Sequence, residues 1–146
     1  MNKDYIYKAK SLKTGEWIEG YILIWKDMAF ICSEPGTCMN GHEHQMEYLG
    51  FGKFVEVNPN TICRCTGRLA EGGEIVYEND IIYDDEENFG IVTWDKENLC
   101  FYVEFVGYEI QFGEYVGYEI QLGEYSKDFI EIRGNIFDNP ELMDLK

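Results

Sequence analysis

The chain has 146 residues, a length that suits one domain or two small ones and buries roughly two-thirds of its unfolded surface without staples. All of its net charge of −16 falls in one half: residues 1–70 hold eight acids and eight bases, whereas residues 71–146 hold twenty acids against Lys96, Lys127, Arg133 and Lys146. A phosphate backbone would be repelled by that half, which excludes it as a direct nucleic-acid surface, and no apolar run is long enough to span a membrane.

Eleven Tyr and nine Phe favour pleated, half-buried surfaces over helices. Tyr5–Lys10 alternates as a strand, Lys13-Thr14-Gly15 turns, and Glu16–Ile24 forms the second arm of an opening hairpin. Met28–Cys32 is a third strand. Ser33–Glu47 is polar and punctuated by Pro35, Gly36 and Gly41, as loops are. Phe51–Val57 alternates again, and Asn58-Pro59 has the chemistry to cap one helical turn. Thr61–Ile82, TICRCTGRLAEGGEIVYENDII, reads as a short strand, a glycine-rich turn and a strand that ends in a second turn. Gly90–Asp95 and Leu99–Phe105 form another hairpin, joined by Lys96-Glu97-Asn98, and Phe129–Ile132 is a last strand. Asn139-Pro140-Glu141 then has an N-cap, a first-turn proline and a dipole-favourable acid, so a short C-terminal helix is expected.

One decapeptide occurs twice in tandem. Val106–Tyr115 reads VGYEIQFGEY and Val116–Tyr125 reads VGYEIQLGEY, differing only at Phe112 and Leu122. Two copies are too few for a solenoid. Ten is even, so a slide by one unit keeps every side chain on its original face of a strand. The copies extend a hairpin, either as an arm that pairs with another subunit, through residues such as Tyr108 and Tyr118, or as a tolerated extension of a loop tip.

Candidate chemistry is sparse. Cys32, Cys38, His42 and His44 crowd one segment, and four such ligands can hold zinc, but C-x5-C and H-x-H are not the usual knuckle spacings. Beside this stands the reading of an ordinary loop. Cys38 with His42 could be drawn as a nucleophile and base, yet no third orienting group accompanies them. Asp84-Asp85-Glu86-Glu87 lacks the glycine-spaced ligand order of a calcium loop, and Gly67, Gly72 and Gly73 precede no GK[ST], so they read as turn residues. Trp17, Trp25 and Trp94 could stack bases, but no positive funnel surrounds Trp94, and core or interface placement competes with that role. No cofactor and no catalytic residue is expected. MNKDYIYKAK carries charge with no following apolar region, and the five cysteines are odd in number, so an intracellular protein with reduced thiols is expected.

Several of these segments carry a family pattern. Thr66-Gly67-Arg68, Gly72-Gly73-Glu74-Ile75 and Tyr77-Glu78-Asn79-Asp80-Ile81 resemble the signature of the YopX protein family of phages and prophages. Tyr7–Ile22, Val57–Thr61 (VNPNT) and Ile132–Leu142 (IRGNIFDNPEL) resemble its opening, middle and closing stretches in the same order. Cys65 stands where an aromatic is usual, Arg68 where Leu is usual and Asn79 where Gly is usual. The resemblance implies a mainly β, phage-encoded protein in the host cytoplasm, with an SH3-like barrel and homo-oligomerisation, and it assigns no catalytic residue. The expected architecture is an N-terminal β region over 1–58 and a barrel over 59–146, with Arg64, Arg68 and Asp80 flanking the signature turn as contact residues. Two functions follow from that reading. One is a non-enzymatic accessory protein whose Lys3, Lys8, Lys10 and Lys13 region meets the acidic half of another copy. The other is an acidic inhibitor that occupies the nucleic-acid site of a host enzyme.

Overall fold

A computed structural model describes residues 6–32, 54–83, 89–105, 119–121 and 130–144. The described residues are mainly β, arranged in antiparallel pairs, with two 3₁₀ turns. The strands are β1 (Tyr7–Lys10), β2 (Trp17–Trp25), β3 (Met28–Cys32), β4 (Phe54–Val57), β5 (Cys63–Leu69), β6 (Ile75–Tyr77), β7 (Asp80–Tyr83), β8 (Phe89–Asp95), β9 (Cys100–Phe105), β10 (Glu119–Gln121) and β11 (Glu131–Asn135). The chain divides into two compact units, Met1–Cys65 and Thr66–Lys146.

In the first unit the strands run in the order β4-β3-β2-β1, and the start of β5 pairs beside β1. The β1–β2 hairpin closes through Ser11 N to Glu16 O at 2.9 Å and Gly15 N to Ser11 O at 2.9 Å. Gly15 adopts φ +72°, the left-handed conformation for which glycine carries no steric penalty. Asn58 caps the first 3₁₀ turn, Pro59–Thr61, its Oδ1 accepting from Asn60 N at 3.0 Å. Thr61 fastens that turn to the sheet: its hydroxyl donates to Asn58 O at 2.8 Å and accepts from Lys10 N at 2.9 Å. The core is Ala9, Ala29, Ile31 and Val57, with Tyr7, Ile18 and Ile62 packed against it. Two of its four members are alanines, so the burial that stabilises this unit rests chiefly on Ile31 and Val57, at roughly 1.5–3 kcal/mol each.

In the second unit a five-stranded sheet runs β10-β9-β8-β7-β11, and β6 pairs with β5. Its core of Ala70, Val76, Ile82, Val92, Val103 and Ile130, with Phe101 and Ile132 packed on it, draws on nearly every element. The β8–β9 turn is held by Asp95, whose carboxylate accepts from Glu97 N at 2.8 Å, Asn98 N at 3.2 Å and Asn98 Nδ2 at 2.6 Å. These bonds, the Asn98 side chain first, hold its pKa below the ordinary carboxylate value. On the other side of the sheet order, β11 pairs with β7 through a bulge between Ile132 and Gly134. A side chain at Gly134 would collide with the Asn139 carboxamide, so the bulge requires glycine there.

The C-terminal segment departs from the expected short helix. Pro140–Asp144 is a 3₁₀ turn, with Leu142 N reaching back three residues to Asn139 O at 3.1 Å. Five residues cannot offset the cost of nucleating an α-helix, and the tighter three-residue pattern is the usual form of so short a segment. The strand expected over Phe129–Ile132 starts later, at Glu131, and runs on to Asn135.

Candidate functional site

The signature segment builds turns. Thr66 Oγ1 donates to Val76 O at 2.7 Å, which ties β5 to β6, and the connection between them closes through Ala70 N to Glu74 O at 2.8 Å and Gly73 N to Ala70 O at 2.9 Å. Gly73 sits at φ +86°, where a Cβ would be strained. The β6–β7 turn needs a second left-handed residue, and Asn79 supplies it at φ +71°. Asparagine is the non-glycine residue best suited to that conformation, which accounts for its standing where glycine is usual.

Asp80, expected at a contact surface, is 2% exposed. Its Oδ2 accepts from Tyr77 N at 2.8 Å across the turn. Arg64 lies in β5 opposite Tyr7 and is half-buried. Arg68 is also half-buried; its backbone N donates to Thr66 Oγ1 at 3.1 Å, and its Nε is buried with no acceptor among the described residues. Tyr108 and Tyr118 lie outside the described residues. So do Cys38, His42 and His44 of the zinc candidates, and the Asp84–Glu87 acids. Cys32 is described, half-buried on β3. Among the described residues, no group of three or more His, Cys, Asp or Glu side chains is placed to hold a metal ion.

The feature that sequence reasoning missed is one face of the first unit's sheet. Residues directly opposite in an antiparallel ladder point to the same side. The registers Tyr21↔Cys32↔Phe54, Leu23↔Phe30↔Glu56 and Trp25↔Met28 therefore put Tyr21, Leu23, Trp25, Met28, Phe30 and Phe54 on one face. The opposite face carries Ile22, Ala29, Ile31 and Val57 toward the core. An antiparallel sheet with one buried face ordinarily shows polar residues on the other. Here the outer face, apart from the exposed Glu56 on β4, is apolar and exposed, with Trp25 at 61%, Leu23 at 49%, Met28 and Phe54 at 43% and Tyr21 at 36%. Ile24, on the core-facing parity, is also exposed at 62% near the hairpin tip.

Gly20 makes this hairpin possible. A Cβ there would run into the Cys32 carbonyl oxygen, so β3 approaches β2 only because the side chain is missing. On β1 the same face carries cations. Lys10 stands opposite Trp17 and Lys8 opposite Glu19, and the two ammonium groups lie 5.4 and 4.9 Å from the Trp17 ring centroid. Contacts at these distances are attractive and hold both lysines along the apolar face. The signal for this surface was present in the sequence: YILIW at Tyr21–Trp25 is apolar on both parities, which a strand with one wet face would not be.

The second unit presents a different surface. Arg133 lies 3.9 Å over the Tyr83 ring and bridges Glu131 at 3.2 Å, and Tyr83 stacks on Phe89 at 5.4 Å. The Glu131 hydrogen bond holds the guanidinium in its charged form. Trp94 meets Phe101 edge-on at 4.8 Å, which places it in packing rather than in a stacking platform. Among the described residues, no helix is long and apolar enough to cross a membrane.

The family model described as YopX protein matches residues 7–144, nearly the whole chain and all the strands of both units. No curated protein matches the chain.

Proposed function

This chain belongs to the YopX protein family, and we propose that it is a non-enzymatic phage accessory protein that works by association with further copies of itself. In this reading the strands from β5 onward form the SH3-like small barrel that the family resemblance implies, and the first unit supplies the contact. The observation that carries the proposal is the exposed apolar face of β2, β3 and β4. Tyr21, Leu23, Trp25, Met28 and Phe54 together expose roughly 400–500 Å², as large as the largest patch on an ordinary monomer. Two such faces brought together remove roughly 1,000 Å² from water, the size at which specific interfaces begin.

Charge selects the occupant. Residues 71–146 carry all of the −16, so copies repel one another there, whereas residues 1–70 sum to zero. A second copy meets least repulsion at the neutral, apolar face. Sedimentation at micromolar concentration and two salt concentrations tests this reading. Association through the apolar face persists or strengthens in high salt, because burial of apolar area is not screened. Docking of Lys8 and Lys10 on the acidic half of another copy would instead weaken as salt rises. A monomer under both conditions overturns the proposal.

The concentration of twenty acids against four bases in residues 71–146 favours a second reading, an acidic inhibitor of a nucleic-acid-binding host enzyme. A pulldown from host lysate then enriches basic nucleic-acid-binding proteins; recovery of neutral proteins alone ends that reading.

A further inference from the structure

β11 ends the five-stranded sheet of the second unit, and among the described strands it pairs with β7 only. The outer side of such a strand carries backbone N–H and C=O groups that can pair with a strand of another copy. We propose that Asn139 and the bulge at Arg133 close this edge, so that a second copy cannot extend the sheet.

The edge is occupied at both ends. Just before β11, Ile130 O accepts from Glu71 N at 2.9 Å. At the far end, Asn135 N donates to Asn139 Oδ1 at 3.3 Å, and Asn135 O accepts from Asn139 N at 2.9 Å. Two residues that form a hydrogen-bonded pair in an antiparallel ladder exchange the same two bonds. Asn139 therefore imitates one residue of a sixth strand, with its side-chain oxygen in place of a carbonyl. The imitation stops there, because Pro140 has no N–H and opens the 3₁₀ turn.

Asn135 turns the chain back on itself. Its Oδ1 accepts from Phe137 N and Asp138 N at 3.0 Å each, and its Nδ2 donates to Asp138 Oδ2 at 3.1 Å. Asparagine side chains favour turns through such local bonds. The Asn139 carboxamide then lies against the α-carbon of Gly134, where a Cβ would collide with it.

The middle of the strand is closed by other means. β11 passes from Ile132↔Ile82 to Gly134↔Ile81, which leaves Arg133 without a residue opposite it. A bulge twists an edge away from a flat partner. Arg133 bridges Glu131 at 3.2 Å, and both side chains are exposed. A strand laid along β11 would have to desolvate or break that pair. The closure stands on β11 and its flanks alone. That it leaves the apolar face of the first unit as the contact rests on the self-association proposed above.

Strand addition is expected when both closures are removed. The test uses the full chain carrying Trp25→Asp, which takes the apolar face out of the comparison. Adding Asn139→Ala removes the oxygen that occupies Asn135 N, and adding Arg133→Val removes the charge. With both added, sedimentation velocity is expected to show association at least about tenfold tighter than in the Trp25→Asp chain, since two or more backbone hydrogen bonds are gained. Arg133→Lys with Asn139→Ala keeps the charge and is expected to associate no more than the Trp25→Asp chain. A folded Asn139→Ala/Arg133→Val chain that associates no more than its parent overturns the proposal. A second measurement does not depend on association. The Asn135 amide is expected to exchange its hydrogen at least about tenfold faster in Asn139→Ala than in the parent; equal rates overturn the role of Asn139. If the Trp25→Asp chain itself still associates, the apolar face fails as the contact, while the comparison among the β11 variants still decides the closure.

Discussion

Replacing Trp25 with aspartate is expected to abolish self-association while leaving each copy folded. Trp25 ends β2, stands opposite Met28 and exposes 61% of its surface, the largest aromatic exposure on the apolar face. Buried tryptophans are the commonest dominant contributors to interfaces, and truncation of such a residue typically costs at least about 2 kcal/mol. An aspartate in its place adds the desolvation of a charge, and the combined loss of about 3 kcal/mol raises the dissociation constant more than about 100-fold. The same substitution is cheap in the separated copy, because the side chain already faces water; exposed positions usually move stability by no more than about 0.5 kcal/mol. Trp25→Phe, which keeps an apolar ring, retains most of the association. Sedimentation velocity across a dilution series, with urea midpoints for both variants, separates the two effects. Unchanged association in Trp25→Asp would remove the apolar face as the contact.

The pairing of β1 with β2 was legible because each strand alternates and a Lys-Thr-Gly turn lies between them. Tyr21–Trp25 was legible as a strand but not as a surface. Its apolar residues occupy both parities, and only the registers to Cys32 and Phe54 decide which parity is outside. Asp80 shows the opposite difficulty. An acid between turn residues reads as exposed, and burial became evident only with its bond to Tyr77 N across the turn. At the C-terminus the sequence carries helix-start residues but the segment is a 3₁₀ turn, because capping residues say where a helical segment starts and not how long it lasts. Arg68 reads from the sequence as a contact residue beside the signature turn, and the fold half-buries it on β5.

Asp80→Ala is expected to cost the second unit roughly 2–4 kcal/mol, because a buried acceptor is lost from a turn that orders two strands. Asp80 opens β7, whose residues Ile81, Ile82 and Tyr83 are all buried, and it follows β6, where Val76 and Tyr77 are buried. Its carboxylate receives the Tyr77 N–H at 2.8 Å in a place that is 2% exposed. Alanine removes this acceptor and leaves a space that water enters only at the expense of the surrounding apolar packing. The neighbouring residue tightens the dependence. Asn79 holds φ +71° while its N–H donates to Val92 O at 2.8 Å and its carbonyl accepts from Ile136 N at 3.1 Å. The turn thus fastens β8 and the segment after β11 as well as the strands it joins. Asp80→Asn keeps an oxygen in the same place and is expected to cost about half as much, since a neutral acceptor bonds less strongly than a carboxylate. Asn79→Gly preserves the left-handed conformation and is expected to be nearly neutral, whereas Asn79→Ala costs about 1 kcal/mol. Urea unfolding of the four variants tests the order. If Asp80→Ala cost no more than Asn79→Gly, the turn would be held by backbone conformation alone. A loss at Asp80→Ala larger than the about 1 kcal/mol expected for Asn79→Ala would make the acid rather than the left-handed residue the element on which the β6–β7 turn chiefly depends.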